Sequence, residues 1–458
     1  MTGLGSDRRV HFVGIGGAGM SAIAKVLIER GVRVSGSDLK RSRAATLLEA
    51  IGARVSIGHD DSLIDKETVV VVSSAIPESN PELRKARSLG VEILTRGEAL
   101  AAVLDGLRSI VIAGTHGKTT TTSMITTVLR VSGWDPTYLI GGGLNESGTN
   151  ARRGSGEFAV AESDESDGSF LLLAPSIAVI TNLELDHVDY WESATALRAG
   201  FSQFIDRTGD DATVVVPADD ADLGAYARAT RRVVTFGVSD GDFRAGLLEA
   251  TADGMNFVLT GPSGRAPVSL KAPGRHNVAN ALAAAAACEA AGLTLAEIAN
   301  GLDRYRGVER RFQIRGRARG VTVIDDYAHH PTEVRATLDA AGDGRWRRVV
   351  AVFQPHRYSR TAAFSEELGE SLTAADRIVV TDVYGAGEPP VPGVTGKLVV
   401  DAVCKHAPGR PVAYMPHRGE LVGYLVTGLR DGDAVLTLGA GDVTSVGDEL
   451  LGRLREIW

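Results

Sequence analysis

Residues 109–123 read SIVIAGTHGKTTTTS, and they predict a phosphate-binding turn. The apolar run at 110–113 indicates a buried strand, and a helix is expected to begin after Lys118. A glycine-bearing turn between a strand and a helix points backbone N–H groups and the positive end of the helix at one place, which favours an anion. Lys118 would supply a cation for the β- and γ-phosphates of ATP, and Thr119 a hydroxyl for a magnesium ion. The usual G-x-x-x-x-G-K-[ST] pattern is incomplete, because Ile112 stands where its first glycine belongs, and a plain strand–turn–helix is the alternative.

A second glycine-rich turn is expected near the start of the chain. A predicted strand from Val10 leads into G-x-G-x-x-G at Gly14, Gly16 and Gly19, and a helix and a second strand follow before Asp38. This order predicts a Rossmann-type β–α–β unit with an acidic residue about twenty positions after the glycines. Alone, the motif suggests NAD. Any ligand with a diphosphate fits equally well, because the glycines and the helix dipole recognise the pyrophosphate group.

Acidic and histidine residues follow two more predicted strands. Glu162 begins an acidic run at the end of one apolar strand, and His187 lies a few residues after the next. In a parallel sheet these strand ends would share one edge with the phosphate turn. Glu162 would then meet a magnesium ion held by Thr119, since hard cations prefer oxygen ligands. For His187 a surface loop histidine is the alternative, and for the acidic run a solvated turn.

Two pairs of polar residues have both a structural and a binding interpretation. Ser73 and Ser74 follow a predicted strand, where open α/β sheets bind ligands, but simple loop chemistry explains them equally well. Asn277 and Asn280 are three residues apart and share one face at the start of an alanine-rich helix. Such amides bind a purine edge or cap a helix, and the sequence alone favours capping.

The last part of the chain carries polar residues after two further strands. One strand ends in carboxylates and histidines, and the other in a histidine and two arginines: Asp325, Asp326, His329, His330, His356, Arg357 and Arg360. Strand ends with this chemistry indicate a site rather than packing. Two arginines beside a histidine suit an anionic substrate.

The order of the motifs predicts an α/β protein of three domains. We expect a Rossmann-like domain at 1–107, a central P-loop ATPase-type domain at 108–312 and a Rossmann-like C-terminal domain at 313–458. Residues 208–270 are expected to form a strand-rich insert in the central domain, and residues 307–313 a hinge.

Composition limits the function classes. The net charge of −8 and the absence of a polybasic run argue against nucleic-acid binding. Cys288 and Cys404 fit no disulfide or metal spacing, which favours a reducing compartment. The start of the chain is short and polar without a secretory segment, and no stretch approaches a membrane span, so we expect a cytoplasmic protein without membrane contact. The residues alone therefore predict an ATP- and magnesium-dependent enzyme that transfers a phosphoryl group to a substrate carboxylate. A non-catalytic dinucleotide sensor is the alternative from a different class.

The chain resembles the Mur ligases of peptidoglycan synthesis. The resemblance rests on the GTHGKTT turn at 114–120, Glu162 within AESDES, the pair Asp186 and His187, and HNVAN at 276–280. Three further stretches resemble the branch of the family that adds L-alanine to UDP-N-acetylmuramate: GIGGAGMS at 14–21, DDYAHHPTE at 325–333 and FQPHRYSR at 353–360. The chain departs from the pattern at Ala328 and Leu185, where glycine and proline are expected. It also has no lysine suited to the carbamylated position of other members.

The resemblance implies a role for each motif residue. The sugar nucleotide UDP-N-acetylmuramate would contact Gly16, Gly17, Ala18, Gly19, Met20, Ser21, Asp38, His59, Ser73 and Ser74. ATP would contact Gly114, Thr115, His116, Gly117, Lys118, Thr119, Thr120, Asn277, Asn280, Arg311 and Asp326. The amino acid would contact Tyr327, His329 and His330, and two Mg²⁺ ions, which Mn²⁺ can replace, would contact Thr119, Glu162 and His187. Catalysis would depend on Lys118, Glu162, His187, Arg311, His329, His356, Arg357 and Arg360.

The implied reaction is amide formation through an acyl phosphate. The lactyl carboxylate attacks the γ-phosphorus of ATP, and the neutral amine of L-alanine then displaces phosphate, with His329 as the candidate base. Closure of the third domain would exclude water from the intermediate. A related recycling ligase, which joins a tripeptide to the same nucleotide sugar, is the nearest alternative, and the stretch at 354–358 argues against it. We expect a monomer or a weak homodimer.

Overall fold

In the computed structural model the chain forms three parallel or mainly parallel sheets in sequence, each flanked by helices; the structure describes residues 4, 5, 7–188, 190–342 and 345–456. The first sheet contains the strands β1 (Arg9–Val13), β2 (Arg33–Asp38), β3 (Arg54–Ile57), β4 (Thr68–Val72) and β5 (Ile93–Thr95). Its order is β3-β2-β1-β4-β5, with all pairs parallel. Its helices are α1 (Ala18–Glu29), α2 (Arg43–Ala50), α3 (Pro81–Leu89) and α4 (Arg96–Leu104).

The second sheet has β6 near its centre, directly before the phosphate turn. Its strands are β6 (Arg108–Ala113), β7 (Thr137–Leu139), β8 (Ala151–Arg152), β9 (Phe158–Glu162), β10 (Ile177–Ile180), β11 (Thr213–Pro217) and β12 (Arg232–Phe236). The order is β12-β11-β10-β6-β9-β7-β8, and only the short β8 is antiparallel to its neighbour. The helices are α5 (Lys118–Val131), α6 (Ala194–Arg207), α7 (Ala221–Thr230), α8 (Arg275–Ala291) and α9 (Leu295–Asp303).

The expected strand-rich insert is smaller than the sequence suggested. Residues 213–236 supply two strands and a helix of the main sheet, so the prediction for this part was wrong. A separate antiparallel sheet contains only β13 (Arg244–Ala250), β14 (Met255–Gly261) and β15 (Gly264–Leu270). Apolar β-branched runs of similar length occur in both sheets, and local sequence does not tell which sheet a strand joins.

The third sheet has the order β16-β17-β21-β18-β19-β20, with β16 antiparallel and the rest parallel. Its strands are β16 (Gln313–Ala318), β17 (Val321–Asp326), β18 (Arg348–Phe353), β19 (Arg377–Val380), β20 (Val412–Tyr414) and β21 (Asp433–Leu438). The helices are α10 (Pro331–Ala341), α11 (Tyr358–Leu372), α12 (Lys397–His406), α13 (Leu421–Gly428) and α14 (Thr444–Glu456). The domain boundaries at 107 and 312 stay predictions.

The first two sheets share an apolar core, and the third has its own. One cluster of buried residues joins Val103 and Leu104 of α4 to Phe170, Phe201 and other residues of the second unit. The buried clusters on the two faces of the third sheet begin at Phe312 and Ala318 and contain only later residues. The third unit therefore meets the others through the polar contacts described below.

No helix among the described residues combines the length and apolar character needed to cross a bilayer.

Candidate active site at the junction of three domains

The phosphate turn is a tight backbone loop whose glycines are sterically required. Gly117 has a φ of 80°, and a Cβ there would lie 2.3 Å from Oδ1 of Asn280. At Gly114 a Cβ would lie 2.2 Å from Oγ1 of Thr181. Helix α5 begins at Lys118 with no side chain capping its first N–H groups. These N–H groups at a helix N-terminus form an anion site.

Lys118 points back across this turn. Its Nζ donates to the carbonyl of Gly114 at 2.6 Å and to the two carboxylate oxygens of Glu165 at 3.0 and 2.8 Å. Burial alone would lower the pKa of Lys118, but the neighbouring carboxylates outweigh it and raise the pKa. Burial raises the pKa of Glu165 to about 7 against the opposing effect of Lys118. Glu165 thus serves as the counter-ion of Lys118 and was not predicted as a site residue.

The residues predicted to hold metal form two groups. The Glu162 carboxylate receives hydrogen bonds from Thr119 and from the N–H of Gly141, while its Oε2 is buried without a partner. Burial raises the pKa of Glu162. Buried polar atoms normally have a partner, and a hard cation would be a suitable partner for this carboxylate oxygen and the neighbouring hydroxyl.

His187 belongs to the second group. It has a left-handed φ of 51°, which costs a residue with a side chain about 1–3 kcal/mol. A ring nitrogen and carboxylate oxygens of Asp164 and Glu165 lie within 4.8 Å of one another. Burial lowers the pKa of His187, so its imidazole is neutral and able to bind a metal.

A cavity of about 370 Å³ lies on the other side of the turn. Asn277 and Asn280 line it, and Nδ2 of Asn280 donates to Oδ1 of Asn277 at 3.3 Å. The capping interpretation of these two residues was wrong, because Gly274 caps α8 without any side-chain bond, and Asn277 instead donates to the carbonyl of Pro273 at 2.7 Å. Both amides therefore line this cavity.

Asp326 lines the same cavity from the third unit. Its two oxygens accept from the N–H of Phe312 at 2.7 Å and of Ala328 at 2.8 Å. Burial raises its pKa to about 6. Asp326 therefore also fixes the hinge to the loop after β17.

Glu333, the first-turn acid of α10, is the centre of a charge cluster between the domains. Its oxygens lie 3.4 Å from Nδ1 of His116, 3.5 Å from Arg311 and 3.4 Å from Nδ1 of His329. Against the effect of burial, the His329 and His116 rings hold the pKa of Glu333 well below its ordinary value. Arg311 also lies 5.3 Å from the ring centre of Tyr327.

His116 of the phosphate turn lies between two carboxylates. Its Nε2 is 2.9 Å from Oε2 of Glu184, whose other oxygen accepts from Thr332 Oγ1 at 2.6 Å. Burial alone would lower the pKa of His116, but Glu184 and Glu333 outweigh it and raise the pKa to about 9. His116 is thus an imidazolium at neutral pH, and its ring centre is 4.6 Å from that of His330.

A buried ion pair crosses the domain junction on the opposite side of the turn. Arg360 of α11 donates to both oxygens of Asp186, with Nη2 at 2.9 Å from each and Nε at 3.1 Å from one. Both side chains are less than a tenth exposed. Asp186 therefore belongs to the site, although only its neighbour His187 was predicted.

Two site histidines of the third unit, His329 and His356, are neutral. Burial lowers the pKa of His329 to about 4 and that of His356 to about 3. Their ring centres lie 5.6 Å apart. Nδ1 of His329 is 2.9 Å from the Tyr327 carbonyl, which favours a proton on Nδ1 and leaves Nε2 as the acceptor.

A cavity of about 560 Å³ brings most of these groups together. Its lining includes, from the predicted residues of all three domains, Ala18, Gly19, Thr115, His116, Gly117, Lys118, Thr119, Glu162, His187, Arg311, Tyr327, His329, His356, Arg357 and Arg360. Thr120 and Asp326 line the smaller cavity instead.

The predicted sugar-nucleotide residues of the first unit do not line these cavities beyond Ala18 and Gly19. The Gly16 N–H donates to Oδ2 of Asp38 at 2.9 Å, and Nδ1 of His59 is 2.9 Å from the Ser37 hydroxyl. Gly17 caps α1, and Ser73 and Ser74 follow β4, which pairs with β1 and so ends at the same edge.

Met20 and Ser21 make contacts within the first unit. Met20 is buried in the core, and Ser21 donates its hydroxyl to the Ala18 carbonyl and its N–H to the Gly17 carbonyl. The binding role of these two residues stays a prediction.

Comparison with known proteins identifies the family. Sequence models described as "Mur ligase family, catalytic domain", "Mur ligase middle domain" and "Mur ligase, glutamate ligase domain" match residues 9–108, 112–288 and 310–441. The chain is 46% identical to the UDP-N-acetylmuramate–L-alanine ligase of Mycolicibacterium smegmatis, over 98% of this chain and 95% of that one. It is 48% identical to the ligase of the same name from Rubrobacter xylanophilus, over 97% of this chain and 100% of that one. The chain belongs to the Mur ligase family.

Solved structures agree with this assignment. The crystal structure of the UDP-N-acetylmuramate–alanine ligase MurC from Thermotoga maritima matches with a TM-score of 0.83 at 31% identity, over 97% of this chain and 98% of that chain. A murein peptide ligase from Psychrobacter arcticus matches with a TM-score of 0.73 at 24% identity, over 98% and 99%, a likeness that shows the fold alone. The predicted α/β fold and the predicted family are confirmed.

Besides Asp186, three acidic residues of this Mur ligase site were missed. Glu333 occupies the third position of α10, where an acid is explained by a capping box with His330. Glu184 and Glu165 lie in strand-end loops that already held stronger candidates. Glu333 and Glu184 pair with His116 and Glu165 pairs with Lys118, and these contacts join residues far apart along the chain.

Proposed function

We propose that this Mur ligase joins L-alanine to the lactyl carboxylate of UDP-N-acetylmuramate, with cleavage of ATP to ADP and phosphate. The observation that carries the proposal is the single cavity in which the phosphate turn faces the histidines and arginines of the third unit. The names of relatives at 46% and 48% identity support the same substrates.

The first step transfers the γ-phosphoryl group of ATP to the lactyl carboxylate. The N–H groups at the start of α5 and the Lys118 ammonium hold the phosphates, with Lys118 exchanging Glu165 for phosphate oxygens. Arg311 adds a second cation from the hinge. Asn277, Asn280 and Asp326 line the cavity that would take the adenosine. The residues thus act by positioning and by neutralising charge.

The metal residues fit Mg²⁺. Thr119 and Glu162 would hold one ion, and His187 would contact a second, with Mn²⁺ as a substitute for either. When bound, the ions supply positive charge that stabilises the phosphoryl oxygens. The orphaned Oε2 of Glu162 supports the first position.

The second step is attack of the alanine amine on the acyl phosphate. Arg357 and Arg360 would attract the carboxylates, and the neutral His356 would surround the two substrates together with Tyr327, His329 and His330. The neutral Nε2 of His329 would accept the amine proton. Closure of the third unit on the turn would keep water from the intermediate.

The first unit would bind the sugar nucleotide at the edge formed by its glycine turn, Asp38, His59, Ser73 and Ser74. We expect the enzyme to act as a monomer or weak homodimer in the cytoplasm, without nucleic acid or membrane. The free cysteines Cys288 and Cys404 support a reducing compartment.

The test is phosphate release from ATP and Mg²⁺ with each substrate omitted in turn. We expect release that needs both UDP-N-acetylmuramate and L-alanine, and that is lost in Lys118→Ala but kept in Lys397→Ala. Lys397 is the matched control, because it forms an exposed ion pair with Asp401. Release that needs the tripeptide instead of alanine would assign the recycling reaction. If neither acceptor supports release, the ligase proposal fails.

A further inference from the structure

A cluster of two histidines and one carboxylate at the domain junction has the composition of a transition-metal site. His116 comes from the phosphate turn, Glu184 from the loop after β10 and His330 from the residue that caps α10. One ligand atom from each lies within 4.8 Å of the other two. We propose that His116, Glu184 and His330 bind a divalent transition-metal ion such as Zn²⁺, separately from the magnesium residues, and that the ion ties the third unit to the phosphate turn.

The distances fit a tetrahedral ion. Nε2 of His116 is 2.9 Å from Oε2 of Glu184, and Nδ1 of His330 is 4.0 Å from the same oxygen. Zinc–ligand bonds of about 2.0–2.1 Å place tetrahedral ligand atoms about 3.3 Å apart. The widest pair, at no more than 4.8 Å, would close by about 1.5 Å, which small side-chain rotations supply. A fourth position remains for water on the side of the smaller cavity, which His116 and Glu184 line.

The groups around the cluster already support such a ligand set. Nδ1 of His116 faces Glu333 Oε1 at 3.4 Å, the carboxylate–histidine arrangement that orients a metal-binding imidazole. Thr332 donates to Oε1 of Glu184 and leaves Oε2 for the ion. His330 is buried; its Nδ1, the nitrogen nearer Glu184, accepts the N–H of Thr332 at 3.4 Å, and its Nε2 has no hydrogen-bond partner. An ion on Nδ1 would replace only the long bond from Thr332, and an ion on Nε2 would replace no hydrogen bond.

The chemistry selects the class of ion. Two imidazoles and one carboxylate suit Zn²⁺, Co²⁺ or Ni²⁺, whereas Mg²⁺ prefers an all-oxygen shell. Binding would replace the His116 proton as the positive charge between Glu184 and Glu333, and that proton leaves to solvent. Because the ligands come from two domains, a bound ion would hold the site closed and slow turnover.

The test is titration of the full-length chain with Co²⁺ in the presence of excess Mg²⁺, which occupies the magnesium residues, followed by visible absorption. Under these conditions we expect one Co²⁺ per chain, displaced by Zn²⁺ and not by a further increase in Mg²⁺. Glu184→Gln and His330→Asn should each weaken binding tenfold or more, and Glu333→Gln about 10–100-fold, as for a residue that orients a ligand. His406→Asn is the matched control, because His406 also pairs with a glutamate, Glu366, but on the exposed surface.

His187→Asn separates this cluster from the magnesium residues and should leave Co²⁺ binding unchanged. Loss of binding in His187→Asn or His406→Asn, unchanged binding in Glu184→Gln and His330→Asn, or displacement by Mg²⁺ would each overturn the proposal. Thermal unfolding without metal checks that every variant is folded. Zn²⁺ inhibition of phosphate release should also be weaker in Glu184→Gln than in the parent, relative to each protein's own rate. The binding titration does not depend on the ligase reaction, so its result is separate from that of the proposed function.

Discussion

Replacement of Asp186 by asparagine should impair closure of the third unit far more than it impairs folding. Asp186 and Arg360 are both buried and form three hydrogen bonds across the junction. Removing one partner of a buried ion pair typically costs about 3–5 kcal/mol, because the other charge stays buried without compensation. Here the open form can return Arg360 to water, so the cost falls on the closed form. At 1.36 kcal/mol per factor of ten, kcat/KM should fall at least about 100-fold.

The assay is phosphate release at limiting ATP, with urea unfolding measured on the same samples. Asp448→Asn is the control, since Asp448 pairs with Arg315 at 2.6 Å on the surface. Exposed pairs contribute about 0–1 kcal/mol, and this variant should keep nearly the parent rate.

A double-mutant cycle separates the ion pair from a purely local role. Asp186 also accepts from the His187 N–H at 2.7 Å, so its loss could act on His187 alone. If the pair matters, Asp186→Asn and Arg360→Met combined should cost clearly less than the sum of the single changes. Additivity within about 0.5 kcal/mol, or a single-variant rate within threefold of the parent, would refute the reasoning.

Three further changes test other parts of the site. Glu162→Gln should raise the Mg²⁺ concentration for half-maximal phosphate release by about 10–100-fold. It should not lower the urea midpoint, because the substitution removes a buried carboxylate oxygen that has no partner. An unchanged Mg²⁺ requirement would contradict the metal role. His116 has a pKa raised from 6.5 to about 9, so its stabilising effect is full below pH 6.5 and is lost as pH rises to 9. The urea midpoint of the parent should therefore fall by the equivalent of about 2–3 kcal/mol relative to His116→Asn between pH 6.5 and 9, and parallel profiles would count against the cluster. Gly117→Ala should abolish ATP-dependent phosphate release, because the added Cβ would clash with Asn280. Gly106→Ala is the control: Gly106 has a φ of 76° and open space around it, so the change should cost only about 1–2 kcal/mol of stability. Equal effects of the two changes on release would show that the clash is unimportant.

The strand-end residues could be predicted because parallel sheets bring carboxyl ends to one edge. In the second sheet β6 lies between β10 and β9, so the phosphate turn, Glu162 and the loop to His187 are at one edge. This could be predicted without knowing any contact between distant residues. The same rule predicts that Asp326 and His356 lie at one edge of the third sheet, since β17 and β18 both pair with β21.

The missed features depend on contacts between distant parts of the chain. Glu333 pairs with His116, and Arg360 with Asp186, across domains that no local pattern connects. Asn277 looked like a cap because capping is the commoner use of asparagine at a helix start. In the structure Gly274 is the N-cap of α8, and no side chain, including that of Asn277, caps the helix.

The difference between the two domain junctions has a consequence for the choice of solvent. The first and second units meet through apolar side chains, and the third meets them in part through half-exposed pairs such as Glu184 with His116. Sulfate strengthens apolar contact, whereas ionic strength screens exposed charge pairs. Added sulfate would therefore stabilise the apolar contacts of the first junction and weaken the exposed charge pairs of the second. Substrate affinities should be measured at several ionic strengths, because the relative stability of the two junctions changes with salt.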